Sequence, residues 1–189
     1  MARTATIYRF DLDIADVDRN RYATVELRVA QHPSESEASL VTRVIAWCLE
    51  HDDDLRMGRG IAHPEEATLS VVDPTGQTLR WIEVGAPSAE RLHKAAKSAP
   101  YVLVVAHRSL QTLALELRQR ALYRGDEIEL IELPPLFIDG IAAGLQRTNR
   151  WSALITEQTL YLTTAAGTLE GIPVPRQRLT DALAVRPAP

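Results

Sequence analysis

With one cysteine in 189 residues, Cys48, the chain can form no intramolecular disulfide and no site built from several thiolates. It has no apolar segment behind the basic residues of its N-terminus, so no signal peptide is expected. The longest apolar runs, such as Tyr101 to Ala106, are of strand length, far short of a bilayer span. There is no basic excess. A formal net charge of -4 and a pI near 5.7 exclude a protein that coats nucleic acid by charge alone, although a local basic strip would still serve a nuclease. The five histidines are expected to build no zinc site, and no GxSxG elbow is present. These absences point to a cytoplasmic protein without a membrane segment. At 46% hydrophobic and 24% charged residues, the chain is expected to fold as one domain over 1–189, with about 174–189 a loose tail.

Alternation predicts two antiparallel strands, over 4–14 and 22–30, joined by a loop at Asp16 to Asn20. A helix is expected from about Glu35 to Glu50, with Ser34 as N-cap, Glu37 completing a capping box, and Leu40, Val41, Val44, Ile45 and Cys48 on one face. Strands are predicted at 67–72 and 77–84, turning at Asp73-Pro74-Thr75-Gly76. Ser88 opens a second helix that buries Leu92, Ala95, Ala96 and Ala99. The valine-rich run 101–106 reads as a buried central strand, followed by a third helix to about Gly125. A half-exposed strand is predicted at 128–133. Residues 136–150 carry no clear pattern, and a last hairpin is predicted at 151–164 turning at Glu157-Gln158. The class is mixed α/β.

Pairing Val72 with Gln77 would put Glu66 directly opposite Glu83, on one sheet face. Two opposed carboxylates are destabilising unless a cation neutralises them, and Mg²⁺ or Mn²⁺ prefers such oxygen ligands. Beyond them lies a basic stripe, Arg91, Lys94 and Lys97, from which a lysine could stabilise a phosphorane. Glu35 could act as an outer carboxylate. Each has a plainer reading: solvated strand-edge acids, a solvated helix lysine, and a carboxylate favouring a helix N-terminus. Trp47 and Trp81 read as core or core-edge residues.

The segments ATIYRF (5–10), DVDRNRY (16–22), HPSE (32–35), RVIAW (43–47) and WIEVGAPSAERLHKA (81–95) together resemble the YaeQ family. The resemblance runs from the N-terminus to about Ala106. It implies a variation on the PD-(D/E)XK nuclease core, a restriction-endonuclease-like central mixed sheet flanked by helices, with added hairpins at both ends. In that core Glu66 would stand for the acid of the PD element and Glu83 for the (D/E), both as metal ligands. The lysine expected two residues on is absent, since residue 85 is glycine; Lys94 is the first substitute and Arg91 the second. The resemblance therefore implies a Mg²⁺-dependent, nuclease-like phosphodiesterase. The alternative is a catalytically inactive nuclease fold that binds nucleic acid or a protein partner, in association with transcription.

Overall fold

A computed structural model of the chain describes residues 5–60, 63, 65–119 and 121–184. Its first elements are β1 (Thr6–Asp16) and β2 (Arg21–Gln31), paired antiparallel without interruption from Thr6↔Gln31 to Asp16↔Arg21. Strict alternation along β1 sends Tyr8, Phe10, Leu12 and Ile14 into the core. Helix α1 (Glu37–Glu50) comes next, then β3 (Leu55–Met57), β4 (Leu69–Val72) and β5 (Thr78–Val84). The chain continues through α2 (Ala89–Ser98), β6 (Tyr101–Ala106), α3 (Gln111–Gln119), a 3-10 turn (Gly125–Glu127), β7 (Glu129–Glu132) and α4 (Pro135–Ala143). It closes with β8 (Thr148–Thr156), β9 (Thr159–Thr164), the two-residue strands β10 (Gly167–Thr168), β11 (Ile172–Pro173) and β12 (Gln177–Arg178), and α5 (Leu179–Ala184).

The strands form two mixed sheets. One has the order β10-β9-β8-β1-β2, with β11 also on β9, and the other the order β12-β7-β6-β5-β4-β3. The two terminal hairpins join into the first sheet because β1 runs parallel to β8, from Arg9↔Thr148 to Asp16↔Ile155. Helix α1 lies between the sheets. Residues 40 to 50 are buried without a break, as expected of a helix enclosed on every side. In the second sheet β5, β6 and β7 are parallel and joined by helical crossovers. Along β6, Leu103 and Val105 face α1, whereas Val102 and Val104 face the layer of α2, α3 and α5. A strand covered on both faces has no solvent side, which is why 101–106 reads as a continuous apolar run.

Three expectations are corrected, and the stretch without a clear pattern takes a form. The helix N-cap is Ser36, whose Oγ accepts from the Ser39 amide at 3.2 Å, while Ser34 instead bonds the His32 ring. Strand β7 is buried at its centre rather than half-exposed, with Leu130 and Ile131 covered from both sides. Residues 135–143, without a clear pattern in the sequence, form α4, which Pro135 opens at its first helical position. The tail is ordered to residue 184: β12 pairs with β7, and α5 buries Leu179 and Leu183. The proline-rich look of 173–187 concealed these few anchors.

Candidate functional site

The hairpin of β4 and β5 sets the geometry. Asp73 accepts from the amides of Thr75 and Gln77, and its own amide donates to the Gln77 carbonyl. Gly76, at φ +89°, supplies the left-handed residue that this closure needs. The turn therefore spans 73–77, and a bulge between Val71 and Val72 shifts the ladder once more, to Val71↔Arg80 and Leu69↔Ile82. Extending that register sets Glu83 beside Thr68, whose hydroxyl donates to Glu83 Oε2 at 3.2 Å. The expected opposition of Glu66 and Glu83 is thus corrected. Glu66 precedes β4 in a turn, its carboxylate held by Arg59 at 2.5 Å.

Glu83 lies near the carboxyl end of β5, 2% exposed. Arg91 Nε stands 2.9 Å from its Oε2, and the Trp81 indole N–H donates to its Oε1. Burial pushes the Glu83 carboxyl above its ordinary pKa, against the pull of Arg91 and the Trp81 hydrogen bond. Trp81 is core, as expected, but its polar edge serves this carboxylate. Half-buried Glu66 has its pKa lowered by hydrogen bonds from Arg59.

Of the basic stripe, Arg91 and not Lys94 reaches Glu83. The buried face of α2 runs through Leu92, Ala95 and Ala96, so Lys94 points to solvent while Arg91 lies over the end of β5. Arg91 also donates to the Glu66 carbonyl at 2.8 Å, tying the turn before β4 to α2. Glu35 precedes the N-cap rather than occupying the first turn of α1. Its carboxylate turns inward, 2% exposed, and meets Arg43 at 2.8 Å. Two atoms of this buried pair, Glu35 Oε1 and Arg43 Nε, have no hydrogen-bond partner. Arg43 was not foreseen, although a charged residue inside the apolar stripe of α1 was the available signal.

These groups meet in one cavity of about 250 Å³, lined by Glu35, Arg43, Glu66, Thr68, Glu83 and Arg91 among others. It opens where β5 gives way to α2, at the carboxyl end of a parallel strand, where open α/β sheets bind ligands. At its rim His63 and Glu65 join Glu66, with one ligand atom from each all within 4.8 Å. His63 and Glu66 are three residues apart in the chain, a ligand-like spacing that the expectation of no histidine site passed over. Glu83 is not in this group, the one such trio among the described residues.

A YaeQ protein family model matches residues 1–172. The chain belongs to the YaeQ family. It is 37% identical to the YaeQ protein of Salmonella typhi and 36% identical to that of Escherichia coli (strain K12), over 110 residues in each case. That aligned stretch is 58% of this chain and spans about 60% of the length of each relative. The crystal structure of YaeQ protein from Pseudomonas syringae superposes with a TM-score of 0.82 at 28% identity, over 93% of this chain and 96% of that one. The structure of YaeQ protein from Xanthomonas axonopodis pv. citri gives 0.80 at 30% identity, over 91% and 100%. The mixed α/β architecture is thus shared along nearly the whole chain. Among the described residues no helix is long and apolar enough to cross a membrane.

Proposed function

We propose that this YaeQ protein is a metal-dependent phosphodiesterase of nucleic acid, built on a variant of the PD-(D/E)XK core. The observation that carries the reading is the pair of buried carboxylates, Glu35 and Glu83, lining one cavity at the end of β5, with Glu35 Oε1 unpartnered. An orphaned buried oxygen in the same cavity as a second buried carboxylate fits an oxygen-preferring divalent cation. Glu35 and Glu83 would hold Mg²⁺ or Mn²⁺, whose chemistry is to polarise a phosphoryl oxygen and acidify a bound water, while Glu66 stays with His63 and Glu65 at the rim. Arg91 takes the role first assigned to Lys94. Its guanidinium is permanently charged, so it stabilises negative charge on phosphorus and cannot serve as a base. The partly desolvated cavity strengthens that attraction.

A second reading rests on a specific observation: every one of these carboxylates already faces an arginine, Glu83 with Arg91, Glu35 with Arg43 and Glu66 with Arg59. Self-neutralised pairs suit an inactive nuclease fold that binds nucleic acid or a protein associated with transcription. Calorimetric titration with Mn²⁺, alongside cleavage assays on DNA and RNA, separates the two. The phosphodiesterase reading requires metal binding and cleavage, both abolished in Glu83→Gln. Salt-dependent nucleic-acid binding that persists in Glu83→Gln, with no cleavage by either protein, supports the binding module instead.

A further inference from the structure

Strand β2 ends its sheet, and among the described residues no strand pairs with its outer side. It is eleven residues long, free of proline and glycine, and in unbroken register with β1. Long, regular edges of this kind are templates for strand addition. Its side chains divide cleanly. Tyr22, Thr24, Glu26, Arg28 and Ala30 are exposed on one face, whereas Leu27 and Val29 are buried and Val25 half-buried on the other.

We propose that a second copy of this chain adds to β2 antiparallel, across a two-fold axis at Leu27, to make one sheet through both subunits. The strand is self-complementary about that residue. An antiparallel pairing of two identical strands preserves the sheet faces only when one residue meets its own copy on the axis. Centring on Glu26 or on Arg28 sets like charges face to face, and centring on Val25 leaves Glu26 against Thr24. Centring on Leu27 places Glu26 opposite Arg28 twice on the outer face. On the inner face it places Val25 opposite Val29 twice, and Leu27 against itself. Opposed charges and β-branched pairs are the contacts that stabilise neighbouring strands. Glu26 is 44% exposed and Arg28 73%, so both can reach across, although Glu26 also holds Arg9 at 2.7 Å and Arg28 of its own strand at 3.3 Å. The Ala30 carbonyl accepts from Arg43 at 2.9 Å and keeps a second lone pair for the new ladder.

The test is sedimentation equilibrium of the full chain over a concentration series. Wild-type protein is expected to double in mass as concentration rises. Glu26→Arg and Arg28→Glu each create two like-charge oppositions flanking the axis, and each raises the midpoint of dimerisation at least about tenfold. Mixing the two single variants restores a dimer, because arginines then face glutamates, and so does the charge-swapped double variant. Circular dichroism confirms that each variant is folded. A wild type that stays monomeric throughout, a dimer indifferent to either single change, or no recovery on mixing overturns the proposal. None of these outcomes depends on whether the cavity at Glu83 binds metal.

Discussion

Replacing Arg91 by methionine keeps most of the side-chain volume over β5 but removes the guanidinium 2.9 Å from Glu83 Oε2. The carboxylate is then buried without that counter-charge, and protonation becomes its cheapest relief. The cost is bounded by this route. Protonating a carboxyl of ordinary pKa 4.5 costs at most about 3 kcal/mol at pH 7, at roughly 1.4 kcal/mol per pH unit. The sign follows from linkage. A folded-state pKa raised above the unfolded value means that the unfolded chain binds fewer protons between the two values, so stability falls as pH rises through that window. In the variant the window widens upward from about 4.5. Urea unfolding followed by tryptophan fluorescence should therefore show a small wild-type-to-variant difference at pH 5, growing to about 2–3 kcal/mol by pH 7–8. The double variant Arg91→Met with Glu83→Gln should recover most of it, since no buried charge remains. A difference that stays flat from pH 5 to 8, or a double variant no more stable than Arg91→Met, would refute this electrostatic account.

Two further outcomes follow from buried groups away from the cavity. Glu50, fully buried at the end of α1, is met by Arg80 and Arg176, with Arg19 at 4.0 Å. Glu50→Gln leaves Arg19, Arg80 and Arg176 with only their more exposed partners Asp16, Asp52 and Glu129, and should cost about 2–3 kcal/mol in urea unfolding; a loss below about 1 kcal/mol would show the cluster to be solvated. The Cys48 thiol is buried and its pKa pushed up to about 12. It should resist a disulfide-exchange reagent at pH 8 in the folded protein and react in urea, whereas rapid labelling of native protein would contradict the packing of α1.

Element types came through from the sequence wherever the pattern was local. The hairpin of β1 and β2, the Ser88 cap and inward face of α2, the apolar run of β6 and the turn at Glu157-Gln158 each depend on neighbours along the chain. Errors arose where a single residue decided register or direction. Hydrophobic alternation cannot tell a four-residue turn from a five-residue one followed by a bulge. Two such one-residue shifts took Glu66 away from Glu83 and brought Thr68 in. Likewise, three residues along α2 separate a side chain that covers the end of β5 from one in water, so Arg91 and not Lys94 became the partner of Glu83.

The sequence by itself determined the mixed α/β class, the buried character of β6, the family, and the presence of Glu35, Glu66 and Glu83 as candidate acids. The class follows from composition, periodicity and capping and the family from the resemblance of five short segments, all of them written locally in the chain. Only the tertiary structure decided that the terminal hairpins share a sheet, that Arg43 and Arg91 face the buried acids, and that Glu35 keeps an unpartnered oxygen. Each of these depends on side chains brought together from distant stretches of chain. Their charges interact strongly because packing has removed the water between them, an effect that no local pattern encodes.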